Sequence, residues 1–143
     1  MYYFIRHAEK EITNKADKNP QLTQIGLNRA TYWSQVFQNI FFDEVYSTNY
    51  NRTIQTALPT AKTNKLEISN YNPRDLFNDD FIKDTKGKTV LVVGHSNTTP
   101  QFVNKILGYA KYHEMDETNF SNLYIITITD NIVTDTLLKI DYF

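Results

Sequence analysis

Short apolar runs rich in β-branched and aromatic residues alternate along the chain with stretches of helical period and with polar breaks containing Gly, Pro, Asn or Asp. The order predicts alternating strands and helices. Tyr2 to Arg6 reads as a first strand. From Leu22, the residues Gly26, Ala30, Trp33, Phe37 and Ile40 recur at steps of three or four, so one face of a helix lies on the sheet. Asp43 to Ser47 is a second strand, followed by Asn49 or Asn51 as the N-cap of a helix reaching about Ala61. Leu66 to Ser69 is a third strand. Asn72, Pro73, Arg74 and Asp75 open a short amphipathic helix that runs to Asp84.

Thr89 to Val93 is apolar without alternation, as a strand covered on both faces requires, and is read as the central strand. Gly94 ends it. Thr98 or Thr99 caps the next helix, Pro100 suits its first turn, and Gly108 follows its end at Leu107. Leu123 to Thr129, the Asp130–Asn131 turn and Ile132 to Ile140 predict a closing hairpin. The expected fold is α/β: a three-layer sandwich with a mostly parallel central sheet, helices on both faces and a C-terminal antiparallel hairpin. There is no repeat or linker, so residues 1–143 read as one domain. Lys111 to Ser121 is a polar loop whose Glu114, Asp116 and Glu117 read as solvated surface.

Composition narrows the chemistry. Fifteen Lys and Arg against 16 Asp and Glu leave a net charge of −1, so nucleic acid and anionic membrane are not expected partners and any bound anion needs a local site. With no cysteine there is no thiolate metal site, disulfide or cysteine nucleophile. No apolar run is long enough for a membrane span, and no cationic leader precedes the first strand. The chain as given reads as cytoplasmic, or as an exported form if a leader has been removed. Nothing in the pattern assigns an oligomeric state.

In open α/β sheets, ligands bind beyond the carboxyl ends of the strands. Those ends here carry Arg6, His7, Ala8 and Glu9, then Ser47, Thr48 and Arg52, then Gly94, His95, Ser96 and Asn97. Two guanidiniums beside two imidazoles make a poor metal site, because the cations oppose a bound dication. They suit a phosphoryl group. Arg offers a planar fork of donors to phosphate oxygens, the N-terminus of the Arg52 helix favours an anion, and a neutral imidazole can attack phosphorus.

Four stretches resemble the histidine phosphatase superfamily, which includes the phosphoglycerate mutases and the small phosphohistidine phosphatases. Arg6, His7, Ala8, Glu9 is similar to its first signature, and Leu22, Thr23, Gly26, Arg29, Ala30 to its following helix. Tyr46, Ser47, Thr48, Arg52, Thr53, Thr56, Ala57 and Val93, Gly94, His95, Ser96, Asn97 resemble its later motifs. The resemblance covers the chain to about Leu107. It implies a metal-independent phosphatase that needs no cofactor, with His7 as nucleophile, Arg6 and Arg52 binding the phosphoryl oxygens and His95 stabilising the transferring group. Thr23, Ser96 and Asn97, within the matched motifs, are expected to contact substrate. The implied substrate is a phosphohistidine protein or a small phosphomonoester. A non-catalytic phosphate-binding module and a phosphomutase are the alternatives.

Arg29 is expected to anchor a carboxylate. Glu9 either pairs with it or orients the Arg6–His7 turn. The chain departs from the family where many members carry a general acid: Ser96 follows His95, and the interval from Tyr71 to Lys88 is short. Asp75, Asp79 and Asp80 are the carboxylates available there.

Overall fold

A computed structural model describes residues 1–142. Its elements are β1 (Tyr2–Arg6), α1 (Gln24–Val36), β2 (Glu44–Ser47), α2 (Asn51–Thr63), β3 (Ile68–Asn70), α3 (Asp79–Thr85), β4 (Val90–Gly94), α4 (Thr98–Leu107), β5 (Asn122–Thr129) and β6 (Ile132–Lys139). The strands form one sheet in the order β3-β2-β4-β1-β5-β6. β1 to β4 are parallel, and β5 runs antiparallel to both β1 and β6.

Alternation within the strands builds two cores. Tyr2, Phe4, Tyr46, Val90, Val92, Tyr124 and Ile126 face one side, where they meet Phe81 of α3 and Phe102, Val103 and Ile106 of α4. Tyr3, Ile5, Val45, Leu91, Val93 and Leu123 face the other, against Trp33, Phe37, Ala57 and Ala61 from the α1 and α2 segments. The expected three-layer α/β architecture is therefore present. Both β1 and β4 are buried along their whole lengths, which explains why neither alternates apolar with polar residues. The hairpin turn also falls where it was expected: Asp130 and Asn131 both have positive φ, 51° and 65°, as a two-residue turn matched to strand twist requires.

Helix boundaries are where the sequence reading needs correction. α1 stops at Val36 rather than continuing through Ile40, and Phe37 serves as its C-cap. Neither Asn49 nor Asn51 caps α2: Tyr50 occupies the N-cap without a side-chain bond, while Asn51 is helical and engages Asn19. α3 begins at Asp79, not near Asn72, because the Asn78 side chain accepts from the Phe81 N–H and sets the start there. α4 starts at Thr98 with Asn97 at its cap, and Gly108 closes it in the left-handed conformation. β3 covers Ile68–Asn70, starting two residues later and ending one residue later than read.

Gly26, in the first turn of α1, rests on the backbone that follows β1. A Cβ there would lie 2.1 Å from the Glu9 carbonyl oxygen. That oxygen also accepts from the Thr23 N–H at 2.9 Å, so the contact joins α1 to the turn that bears His7. Gly26→Ala should lower stability by about 1–3 kcal/mol, the usual cost of overpacking. The gain in helix propensity, about 1 kcal/mol, does not offset a clash with backbone. A urea midpoint equal to or above that of the wild type would refute this reading of the contact.

Candidate active site

The carboxyl ends of the parallel strands open into one cavity of about 1450 Å³. Arg6, His7, Thr23, Arg52, His95, Ser96 and Asn97 all line it. The pairing of β1 with β4 sets Arg6 opposite Gly94, and the His7 N–H donates to the Gly94 carbonyl at 2.9 Å. The next residues after the two strands then face each other, with the His7 and His95 rings 5.7 Å apart.

His7 is 3% exposed, and its Nδ1 lies 2.7 Å from the Ala8 carbonyl oxygen. A carbonyl only accepts, so Nδ1 carries the proton and Nε2 presents a lone pair. Burial pushes the His7 pKa down to about 3, assisted by Arg6, His95 and Arg52 and opposed by the bond to Ala8. The ring is therefore neutral at ordinary pH. The Ala8 N–H donates to Thr56 Oγ1 at 2.9 Å, which ties this turn to α2.

His95 is oriented by a chain of hydroxyls. Thr53 Oγ1 donates to the carbonyls of Thr48 at 2.9 Å and Tyr50 at 3.1 Å, so its one proton is committed. It accepts from Thr48 Oγ1 at 2.8 Å, which commits that proton too. Thr48 Oγ1 must then accept from His95 Nε2–H, also at 2.8 Å, leaving Nδ1 of neutral His95 without a proton. Burial, followed by Arg52, Lys10 and Arg6, brings the His95 pKa down to about 4.

The two arginines differ. Arg52, in the first turn of α2, lies with its Cζ 4.6 Å from the Tyr50 ring centroid, and its Nε and Nη1 are buried without a hydrogen-bond acceptor. Leaving such donors unmatched is costly unless an anion fills the space before them. Arg6 is partly occupied: Nη1 reaches the carbonyl oxygens of Asp116, Glu117 and Asn119 at 3.1, 3.0 and 2.8 Å. Phe120 covers its face at 4.2 Å, and its Nε has no partner. Arg6 thus also fixes the loop before β5.

The expected substrate contacts Thr23 and Asn97 have structural duties as well, since Thr23 Oγ1 caps Gly26 N–H and Asn97 Oδ1 accepts from Thr98 N–H. Arg29 does anchor a carboxylate: it binds Glu9 through two bonds of 2.8 and 3.1 Å, which settles the role of Glu9 as its partner. Asp75, Asp79 and Asp80 are exposed and do not line the cavity, although Arg74 and Leu76, on either side of Asp75, do. Glu114 and Glu117 are exposed as expected, yet they line the cavity, so the Lys111–Ser121 loop edges the site. Tyr50, Phe120 and Lys10 line it too and were not singled out by the sequence. Among the described residues no group of three or more His, Asp or Glu side chains is placed to hold a metal ion.

The profile of the histidine phosphatase superfamily, branch 1, matches residues 2–72, about half of the chain. No curated protein sequence matches. Among solved structures, a phosphoserine phosphatase variant from Entamoeba histolytica in complex with phosphoserine is similar, with a TM-score of 0.71 at 17% identity over 94% of each chain. The protein histidine phosphatase SixA complexed with tungstate gives 0.73 at 14% identity over 96% of each chain. A mycobacterial glucosyl-3-phosphoglycerate phosphatase bound to VO3 gives 0.71 at 10% identity, covering 98% of this chain and 99% of that one. The profile match, the four motifs in chain order and the shared fold together show that the chain belongs to the histidine phosphatase superfamily.

Proposed function

We propose that the protein is a metal-independent phosphatase that works through a phosphohistidine on His7. The observation that carries this reading is the His7 ring: its Nδ1–H is held by the Ala8 carbonyl, so Nε2 is a free nucleophile beside the unmatched donors of Arg52. A structure that merely held an anion would have no need of an imidazole fixed in this tautomer. The three structural neighbours are named as phosphatases, and two of them hold tungstate or VO3. The substrate is read as a phosphohistidine protein or a small phosphomonoester.

In the first step the Nε2 lone pair forms a bond to phosphorus while the bond from phosphorus to the leaving group breaks with its electron pair. Arg6 and Arg52 neutralise charge on the phosphoryl oxygens, which supplies most of the catalysis in such a transfer. In the second step water attacks phosphorus, the P–N bond breaks, and His7 returns to its starting state. His95, held by Thr48 through its Nε2–H, stabilises the transferring group by taking a proton from solvent at Nδ1 as the phosphoryl dianion enters and donating it to a phosphoryl oxygen. Neutral His7 needs no base to activate it, because its pKa of about 3 lies far below working pH.

The test is hydrolysis of para-nitrophenyl phosphate in excess chelator. Turnover should persist, and His7→Ala should abolish it. Denatured wild type should carry an acid-labile, base-stable phosphoenzyme that His7→Ala lacks. Binding of vanadate without turnover would favour the phosphate-binding module instead.

The cavity wall offers no carboxylate from the Asp75–Asp80 segment, so the leaving oxygen departs with little protonation from it. Single Asp→Asn changes at Asp75, Asp79 or Asp80 should therefore alter aryl turnover less than about tenfold, and rates should rise steeply as leaving-group pKa falls in wild type and equally in Glu114→Gln and Glu117→Gln, the two carboxylates of the rim. A shallow dependence together with a hundredfold loss in one variant would identify a donor among them.

Thr48→Val removes the acceptor of the His95 proton. The kcat should drop by about ten- to a hundredfold, the scale of a small misplacement at a reacting centre, with KM nearly unchanged. Thr48→Ser should restore kcat, and nitrogen NMR of the imidazole should show the Nε2–H tautomer in wild type and its loss in Thr48→Val. An unchanged tautomer in the valine variant would remove Thr48 from this role.

A further inference from the structure

The hydrogen bonds of the Arg6 guanidinium all run from Nη1, to the carbonyls of Asp116, Glu117 and Asn119. Its Nε is buried without a partner, and among the described residues Nη2 makes no hydrogen bond either. In a guanidinium, Nε–H and one Nη2–H lie side by side on one edge and form the fork that accepts two oxygens of one anion. The loop before β5 therefore holds one corner of Arg6 and leaves that edge free.

One anchored corner does not fix the edge. Held by the chain at Cδ and by the carbonyls at Nη1, the group can still tilt about the line joining those two atoms, which swings Nε and Nη2 out of place. Phe120 opposes the tilt. Its ring covers one face of the guanidinium, with Cζ 4.2 Å from the centroid, where the cation is attracted to the ring face. The ring is itself well supported. Arg29 Cζ stands 5.8 Å from the same centroid, and Arg29 is bound to Glu9 at 2.8 and 3.1 Å. The backbone on either side is tied by the Asn119 N–H to the Asp116 carbonyl at 2.9 Å, the Ser121 N–H to Asn119 Oδ1 at 3.0 Å and the Ile140 N–H to the Ser121 carbonyl at 2.8 Å. The His7 ring meets Phe120 edge-on at 6.2 Å, so the guanidinium and the nucleophile share one fixed neighbour.

We infer that Phe120 is a positioning residue of the phosphoryl transfer: its ring sets the plane of the Arg6 guanidinium and keeps the Nε–Nη2 edge ready for two phosphoryl oxygens before substrate arrives. The inference rests on the phosphatase reading and adds to it a side chain that acts through Arg6. A fork aimed in advance needs no reorganisation as charge develops on the phosphoryl oxygens. Arg52 lies against Tyr50 rather than Phe120, so it still binds the phosphoryl group when Phe120 is changed. The loss then falls on the transition state rather than on substrate binding.

Three changes separate the ring face from mere bulk. Phe120→Leu keeps an apolar side chain without the face, Phe120→Tyr keeps the face, and 3,4,5-trifluorophenylalanine at position 120 keeps the shape while weakening the attraction for a cation. With para-nitrophenyl phosphate, Phe120→Leu should lower kcat about ten- to a hundredfold and change KM less than about threefold, as a small misplacement at the reacting centre does. The trifluoro protein should lose about three- to tenfold in kcat, and Phe120→Tyr should stay within about threefold of wild type. Nitrogen NMR of the Arg6 Nε–H, assigned with Arg6→Lys, should give a sharp signal in the free wild type that broadens in the leucine and trifluoro proteins. Vanadate affinity, read by calorimetry, should fall with kcat/KM. An unchanged kcat in Phe120→Leu, or equal losses in the leucine and tyrosine variants, would overturn the role of the ring face. A raised KM at constant kcat would also overturn it, placing Phe120 on the substrate itself. If Phe120→Leu does not fold, the trifluoro protein decides by the same measurements. A wild type without turnover would end the phosphatase reading, while the Arg6 signal and vanadate affinity would still show whether Phe120 holds the guanidinium.

Discussion

The parallel pairing of β1 with β4, in the register that sets Arg6 opposite Gly94, is the constraint on which the rest of the site depends. Both strands are buried along their length, so a slip by one residue would turn each apolar set away from its own helical layer. That penalty makes the register rigid and therefore makes the strand ends coincide. The two imidazoles are brought to facing positions by core packing, with no bond between them. The hydrogen bond from His7 N–H to the Gly94 carbonyl extends the ladder one step beyond the strands and carries this precision into the site.

Placing cations around two neutral imidazoles works against the stability of the free protein, and the fold compensates locally. Arg6 is held by three carbonyls and a covering ring, and Arg29 is neutralised by Glu9. Arg52 has only the Tyr50 face on one side, with two of its nitrogens unmatched. The compensation is thus graded. It is most complete for the side chain that also anchors a loop, and least complete for Arg52, which lines the cavity with two buried nitrogens that have no acceptor.

Much of this arrangement was legible in the sequence because it resides in short segments. Arg6–His7 and Gly94–His95 end runs whose burial and β propensity mark them as strands, and the Asp130–Asn131 pair supplies the positive φ values its hairpin needs. The structure places the seven candidate residues around one cavity, while their individual roles rest on the mechanism proposed above. What was hidden depends on contacts between distant segments. Nothing local to Asp116, Glu117 or Asn119 signals that their carbonyls hold an arginine at position 6, so their loop read as plain surface. The start of α3 was misplaced because Asn72–Pro73 and Asn78 both offer helix-start chemistry. Only the second also sets Phe81 against Tyr2, Tyr46 and Phe102.

The loop from Lys111 to Ser121 then acquires a meaning that its polar composition conceals. Its backbone faces inward, with carbonyl dipoles accepting from Arg6 and the Met115 N–H donating to the Ser96 carbonyl, so it is bonded to the ends of both central strands. Its side chains Glu114, Glu117 and Phe120 meanwhile form part of the cavity wall. Changes at Glu114 or Glu117 that preserve the carbonyl contacts alter the rim and leave the bonds of His7 to Ala8 and Gly94 in place, whereas Phe120 packs edge-on against the His7 ring at 6.2 Å. His7 and His95 are therefore carried by the sheet, where register protects their positions, and the loop that edges the cavity is fastened to the strand ends by the Arg6 guanidinium, by the Met115–Ser96 backbone bond and by the Phe120 ring, which lies against both Arg6 and His7.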